Sequence, residues 1–167
     1  MPPRLGEIKA AGEQGGHEID NVIPGAKLLR GDWQQPYEEV SAMREACGPA
    51  HMKAILATGD LKTLRNVYKA SMVAMQAGSD FIKTSTGKEG VNATHPVALT
   101  MVRPLRQYHE QYGFQAGFNP AGTLAQAQSA LQYLTLVKGD LGHASLDPHL
   151  IAIGPTGTLA DPAPHPH

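Results

Sequence analysis

The chain has 167 residues, a length that suits one domain and is short for two. Its 14 Lys and Arg residues against 15 Asp and Glu residues give a formal net charge of −1, without the basic excess typical of proteins that bind nucleic acid or anionic membranes. No apolar run approaches the roughly 18 residues of a membrane span. The single Cys47 excludes an internal disulfide, and the N-terminus lacks the apolar core of a secretory signal. We therefore expect a cytoplasmic protein with no membrane or nucleic-acid partner.

Short apolar or β-branched runs recur along the chain and predict five strands. Their starts lie about 29 to 35 residues apart, which is the spacing of one strand, one helix and two loops. Strands and helices that alternate in this way form a parallel sheet through right-handed crossovers. The predicted strands are residues 18–23, 52–58, 81–84, 115–119 and 150–153.

The segments before and after the first strand carry the start and stop signals of helices. A helix over residues 4–13 has Leu5 and Ile8 on its apolar face. The next helix has Pro36 at a first helical position and ends at Gly48. Its apolar stripe is Val40, Met43 and Cys47.

Three further helices are predicted between the later strands. Residues 61–77 form the clearest helix, with Gly78 as its left-handed terminator. Thr94 can cap a second one, which either bends at Pro104 or is short, because proline removes an amide donor there. Thr123 can cap the third, which ends near Gly139. Apolar residues fall at helical spacing in the first, at Leu64, Val67, Met72 and Met75. In the third, the residues expected to point inward are Leu124, Leu131, Leu134 and Val137.

Lys83 lies inside an apolar strand and is the most informative residue of the chain. An ammonium there must find a partner, reach water or become neutral, and a neutral lysine attacks carbonyls to form Schiff bases. The alternative is a lysine whose stem packs in the strand while its head group reaches solvent. Residues 84–88 place hydroxyls, a glycine and Lys88 at the exit of this strand, which suits a phosphate.

Asp20 is a second ionisable residue embedded in a predicted strand. If it points inward it can move protons for a carbonyl or imine reaction, and otherwise it is a partner for a buried lysine. Lys53 lies early in its strand, away from the carboxyl end where parallel sheets bind ligands. We therefore expect Lys53 to form a structural ion pair.

Glycines follow the last two predicted strands at Gly122 and Gly154. They let backbone amides approach a phosphate, and they equally suit ordinary turns. The eight histidines are scattered without a ligand spacing, so we expect no metal site.

Taken together, these residues resemble the deoxyribose-phosphate aldolase family, and the animal-type members most. The resemblance runs from about Arg4 to Leu159. It begins in the helix before the family's fourth strand, so we expect an N-terminally truncated, incomplete (β/α)8 barrel of five strands. The most specific matches are residues 18–20, 52–59, 64–94 and 118–122.

The resemblance implies a class I aldolase that reversibly cleaves 2-deoxy-D-ribose 5-phosphate to glyceraldehyde 3-phosphate and acetaldehyde, without metal or cofactor, in deoxyribonucleotide catabolism. Lys83 matches the Schiff-base lysine of the family, and Asp20 matches the aspartate that shuttles protons. The matches to its phosphate-binding loops are Gly87, Lys88, Gly122 and Gly154.

The chain departs from the family at Asn119, where the family has a second active-site lysine. The alternative to an aldolase is therefore a non-catalytic module derived from it that binds a phosphosugar or another protein. We expect the barrel domain to cover residues 1–159 and the Pro- and His-rich tail, residues 160–167, to be disordered. The open sheet edges would favour pairing with another copy of the chain.

Overall fold

The computed structural model describes residues 3–87, 90–121, 127–142, 146–147 and 149–153. Strands and helices alternate there, as predicted. In chain order the elements are α1 (Pro3–Glu13), β1 (Glu18–Val22), α2 (Gly25–Leu29), α3 (Gln34–Cys47), β2 (His51–Ile55), α4 (Leu64–Gln76), β3 (Phe81–Lys83), α5 (His95–Tyr112), β4 (Gly117–Asn119) and α6 (Ala127–Leu141). The short helix α2 is absent from the sequence prediction, and it buries Leu28.

The four strands form one parallel sheet in the order β1-β2-β3-β4. In this register Asp20 lies beside Lys53. Lys83 lies between Ile55 on one side and Asn119 on the other. Since neighbours in register point to the same face, the register decides which strand residues can meet.

The strands are shorter than the sequence predicts. β2 stops at Ile55, before Ala57 adopts a positive φ of 50° that an extended strand does not allow. The fifth predicted strand, residues 150–153, is reduced to a single parallel bridge between Ile151 and Phe118. Two backbone hydrogen bonds hold that bridge, from Phe118 to Leu150 at 2.8 Å and from Ala152 to Phe118 at 3.1 Å.

Helices α1 and α3 confirm the predicted apolar faces. Ile8 of α1 is buried and Leu5 packs partly against the core. α3 begins at Gln34, two residues before Pro36, and ends at Gly48 with a positive φ of 55°. The stripe that is buried as predicted is Val40, Met43 and Cys47.

Helix α4 begins at Leu64 rather than at residue 61, because Thr63 caps it. The Thr63 hydroxyl accepts a hydrogen bond from the Asn66 amide at 3.1 Å, and Gly78 follows the helix with φ of +94°. Leu64, one of the apolar positions at helical spacing, lies at the first helical position and its side chain is exposed. The buried face is Val67, Ala70, Ser71, Ala74 and Met75.

Helix α5 continues through Pro104 for 18 residues, which excludes the short alternative. Thr94 caps it as predicted, accepting from the Val97 amide at 3.4 Å, and Gly113 ends it in the left-handed conformation. Pro104 costs about 3 kcal/mol in a helix interior. Its burial, with that of Leu105 and other apolar residues of α5, offsets this cost.

Helix α6 is described from Ala127, so the predicted cap Thr123 and the inward position of Leu124 lie outside the described residues. The prediction that Leu131 points inward is wrong, because its side chain is exposed. Val137 is buried as predicted, and Tyr133, one helical turn before it, is buried as well. Leu131 is two residues from Tyr133 and therefore lies on a different side of the helix.

The two faces of the sheet have different compositions. One face packs against the helices and supplies the strand residues of the apolar core, which are Ile19, Met52, Ala54, Ile82 and Phe118. The other face, here called the inner face, carries most of the ionisable strand residues. Its members are Glu18, Asp20, Val22, His51, Lys53, Ile55, Phe81, Lys83, Gly117 and Asn119.

Within the described ranges, no helix is both long enough and apolar enough to cross a membrane. The predicted tail, residues 160–167, lies outside the described residues, as does the predicted domain end at residue 159.

Candidate active site

Lys83 and Asp20 meet on the inner face. Lys83 Nζ donates a hydrogen bond to Asp20 Oδ2 at 2.6 Å, across the intervening strand β2. The Lys83 side chain is only 13% exposed, whereas that of Asp20 is 41% exposed. The Lys83 side chain is thus mostly buried on the sheet, while the Asp20 carboxylate is accessible to solvent.

The apolar core behind the sheet fixes the strand that carries Lys83. Ile82, on the opposite face of β3, has no exposed surface. The Lys83 carbonyl accepts from the Leu56 amide at 2.9 Å, and the Thr84 amide donates to the Asn119 carbonyl at 3.1 Å. Because β3 is bonded to a strand on both sides, the lysine projects from a fixed backbone position.

Lys53 forms the ion pair that its position predicts, and its partner is Glu18. The distance from Lys53 Nζ to Glu18 Oε2 is 2.6 Å, and the Lys53 side chain is 9% exposed. The Lys53 ammonium also lies 5.2 Å from the centroid of the Phe81 ring. The inner face therefore holds two lysine–carboxylate pairs, Lys53 with Glu18 and Lys83 with Asp20.

A glycine makes room for the Phe81 ring. A Cβ atom placed at Gly117 would lie 2.2 Å from Phe81 Cε1, far inside van der Waals contact. Phe81 and Gly117 are neighbours in register, so the ring lies over the bare backbone of β4. The sequence prediction missed this use of Gly117, although an aromatic residue and a glycine at equal depth in adjacent strands are the signal for it.

Hydroxyls tie together the backbone where β3 and β4 end. Thr84 Oγ1 accepts from the Ala121 amide at 2.9 Å, and Ser85 Oγ donates to the Ala121 carbonyl at 3.2 Å. Ser85 Oγ also contacts Asn92 Oδ1 at 3.0 Å. These bonds use buried hydroxyls to hold the loop after β3 against the loop after β4.

The predicted phosphate-binding residues fall mostly outside the described ranges. Gly87 lies in the loop after β3 with a φ of +88°, which glycine adopts without strain. Lys88, Gly122 and Gly154 lie outside the described residues.

Thr58, at the exit of β2, is a polar residue that the sequence prediction did not single out. It is buried, and its Oγ1 has no hydrogen-bond partner among the residues that the structure describes. The Thr58 amide donates to the Thr84 carbonyl at 2.9 Å, which ties the exits of β2 and β3 together.

Burial raises the pKa of three groups in the part of the chain that the structure describes. Burial raises the pKa of the Cys47 thiol, an effect that the nearby Arg44 charge opposes. Burial also raises the pKa of the phenols of Tyr108 and Tyr133. In the parts of the chain described, no three His, Cys, Asp or Glu side chains are grouped as a metal would require.

Lys83 and Asp20, the two residues that match the family's lysine and aspartate, are thus in contact on one face of the parallel sheet. The family model for "DeoC/LacD family aldolase" matches residues 3–135. The chain belongs to this aldolase family.

Named relatives agree with the family assignment. The chain is 54% identical to human deoxyribose-phosphate aldolase over 161 residues, which is 96% of this chain and 51% of that protein. The mouse deoxyribose-phosphate aldolase matches with the same identity and coverage. This aldolase-family chain therefore spans about half the length of these relatives.

Solved structures agree on the fold. The deoxyribose phosphate aldolase of Aeropyrum pernix superposes with a TM-score of 0.64 at 21% identity, covering 79% of this chain and 53% of that one. A Toxoplasma gondii protein, solved in its apo form, superposes with a TM-score of 0.82 at 22% identity, covering 90% and 60%. The prediction of a partial (β/α)8 barrel is confirmed.

Proposed function

We propose that this chain provides the Schiff-base half of a cytoplasmic class I aldolase that acts on 2-deoxy-D-ribose 5-phosphate in deoxyribonucleotide catabolism. The observation that carries the proposal is the 2.6 Å contact between Lys83 Nζ and Asp20 Oδ2. Relatives that are 54% identical and bear the name deoxyribose-phosphate aldolase support the choice of substrate.

The proposed nucleophile is the amine of Lys83. In its neutral form it attacks the C1 aldehyde of the open-chain sugar to give a carbinolamine, which takes up a proton and loses water to leave an iminium. The C3 hydroxyl then loses its proton, the C2–C3 bond breaks, and its electron pair moves toward the iminium nitrogen to give an enamine. Glyceraldehyde 3-phosphate leaves, the enamine takes a proton at C2, and hydrolysis releases acetaldehyde and the free lysine.

Asp20 is the proposed proton carrier of this sequence. Its carboxylate touches the Lys83 amine and is 41% exposed, so it reaches both the reacting nitrogen and solvent. A carboxylate in this position can take the proton that the amine must lose, and can return it later. No metal or other cofactor takes part in the proposed steps.

We propose that the substrate phosphate binds where the strands end, at Gly87, Lys88, Gly122 and Gly154. The positive φ of Gly87 supports a tight loop directly after the lysine strand. Loops at the carboxyl ends of parallel strands meet at one edge of the sheet, and backbone amides with a lysine there suit a phosphate.

Reductive trapping tests the proposed function. The chain is incubated with 2-deoxy-D-ribose 5-phosphate and borohydride, and the modified peptide is identified by mass spectrometry. We expect an adduct on Lys83, because borohydride reduces an imine to a stable amine. Lys53 lies on the same face in a similar ion pair and serves as an internal control that remains unmodified.

Two variants sharpen this experiment. Lys83→Met removes the proposed nucleophile and should abolish trapping, whereas Lys69→Met, on α4 beside Trp33, should leave it unchanged. The absence of an adduct, under conditions that trap the human relative, would overturn the proposed function.

Asn119 favours a second candidate function, a phosphosugar-binding module without turnover. It lies beside Lys83 in register, at the position where the resemblance implies a second lysine. Isothermal titration that detects the sugar phosphate, combined with no trapping, would support this candidate. Recovery of trapping in Asn119→Lys would instead identify Asn119 as the lost part of an aldolase site.

We also propose that the chain pairs with a second copy through the sheet edge at β1. Among the described strands, β1 has a neighbour on one side only, which leaves backbone groups available for another strand. Sedimentation velocity over a wide concentration range should show self-association, and a monomer throughout would contradict it.

A further inference from the structure

Two lysines and two carboxylates form two ion pairs on the inner face. Lys53 contacts Glu18 and Lys83 contacts Asp20, each at 2.6 Å. Both carboxylates belong to β1, two residues apart, whereas the lysines come from β2 and β3. Each lysine thus reaches a carboxylate of β1 that lies nearer the amino end of the sheet than its own register position.

From the register alone, Asp20 would be expected to form its ion pair with Lys53. The two residues are direct neighbours in register on adjacent strands, which lie about 4.8 Å apart. Lys83 must instead reach Asp20 across β2, from two strands away. The nearer lysine is therefore the one that does not contact Asp20.

Two features turn Lys53 away from Asp20. The Glu18 carboxylate accepts its hydrogen bond. The Phe81 ring, held over Gly117, lies 5.2 Å from the Lys53 ammonium and attracts it. The Lys53 side chain is 9% exposed, so loss of the Glu18 anion would leave a largely buried ammonium without its partner, an expensive arrangement that the neighbouring Asp20 could relieve.

We propose that Glu18 is a positioning residue: by holding Lys53 it keeps Asp20 available to Lys83. The catalytic consequence rests on the proposed function, because it matters only if Lys83 is the nucleophile and Asp20 its proton carrier. Which lysine pairs with which carboxylate is a property of the folded chain, and it does not depend on catalytic activity.

Zero-length cross-linking with a water-soluble carbodiimide reads the pairs directly, because it joins a carboxylate to an amine in contact with it. Both carboxylates are accessible to the reagent, since Glu18 is 53% and Asp20 41% exposed. Peptide mass spectrometry of the wild-type chain should identify the Glu18–Lys53 and Asp20–Lys83 links.

The decisive variant is Glu18→Gln, which keeps the size of the side chain and removes its charge. We expect an Asp20–Lys53 link to appear and the Asp20–Lys83 link to fall about twofold or more, since Asp20 is then shared between two amines and Lys53 is its direct neighbour in register. An unchanged Asp20–Lys83 link in a folded Glu18→Gln chain would overturn the proposal.

A second substitution separates competition from general damage. Lys53→Met removes the competing amine, so the double variant Glu18→Gln/Lys53→Met should recover the Asp20–Lys83 link. A site merely disordered by Glu18→Gln would not recover in this way, and failure of the rescue would contradict the proposal. Should Glu18→Gln not fold, the single Lys53→Met variant is the test. The proposal requires this variant to keep the Asp20–Lys83 link, and loss of the link would overturn it.

Turnover provides a separate readout. If the wild-type chain cleaves the sugar phosphate, kcat should fall in Glu18→Gln and recover in the double variant. If the wild-type chain shows no trapping, the proposed function fails. The cross-links would still show whether Glu18 holds Lys53 and so keeps Asp20 in contact with Lys83.

Discussion

At the residue scale, the main result is the contact between two side chains that lie 63 positions apart in the chain. The sequence identifies Lys83 and Asp20 separately, because an ionisable residue within an apolar strand needs an explanation. It leaves open whether each is functional or structural. The distance of 2.6 Å between them follows from the sheet register, which the sequence does not specify.

The fit between Phe81 and Gly117 yields a prediction at the same scale. Gly117→Ala would place a Cβ atom 2.2 Å from the ring, so the ring or β4 must move. We expect a loss of about 1–3 kcal/mol in the free energy of unfolding, the usual cost of overpacking. Urea denaturation measures the change.

The control for this substitution is Gly139→Ala in α6, where nothing lies within 4 Å of the added Cβ. There alanine should stabilise the helix by about 0.5–1 kcal/mol. Equal effects at the two glycines would show that the ring contact is unimportant.

At the element scale, most helices are predictable because their signals are local. Caps, apolar stripes and terminal glycines lie within a few residues of the helix that they define. Strand ends are less predictable: β2 stops at Ile55 because Ala57 turns to a positive φ, and no local residue type requires that turn. The burial of α6 is hard to predict for a related reason: Leu131 is exposed because contacts with α5, and not the local sequence, decide which side of α6 is buried.

Thr63 provides the prediction at this scale. Its hydroxyl accepts from the Asn66 amide at 3.1 Å, so Thr63→Ala leaves an amide of the first turn of α4 without its acceptor. We expect the free energy of unfolding to fall by about 1 kcal/mol. Chemical denaturation followed by circular dichroism measures the change.

Thr100→Ala makes the same chemical change inside α5, where the hydroxyl donates to the Pro96 carbonyl at 2.7 Å. Alanine is the better helix former at an interior position, so this variant should lose no stability. If both substitutions had the same effect, the cap would not account for the loss at Thr63.

At the scale of the whole molecule, the buried thiol links stability to pH. Burial raises the pKa of Cys47, so the folded chain binds the thiol proton more tightly than the unfolded chain does. This contribution is fully present below the ordinary thiol pKa of about 8.5 and is lost as pH rises through the raised value.

We therefore expect the free energy of unfolding to decline above about pH 8.5, by at most about 1.4 kcal/mol per pH unit for this one group. Cys47→Ala should decline less steeply over the same range, whatever its stability at neutral pH. Denaturation curves at several pH values measure both slopes, and parallel curves would contradict the linkage. Tyr108 and Tyr133 contribute in both chains only at higher pH, because phenols ionise near pH 10.

The sequence by itself determined the alternation of strands and helices, the family and the two candidate catalytic residues. These rest on local patterns and on motifs such as residues 81–88, which need no knowledge of distant contacts. Tertiary structure decided which lysine meets which carboxylate. Lys53 and Lys83 are both strand lysines whose acidic partners lie on β1. Lys53 contacts Glu18 and the Phe81 ring that lies over the bare backbone of Gly117, and this leaves Asp20 to Lys83. Such an allocation depends on distances between strands, and those distances exist only once the sheet has formed.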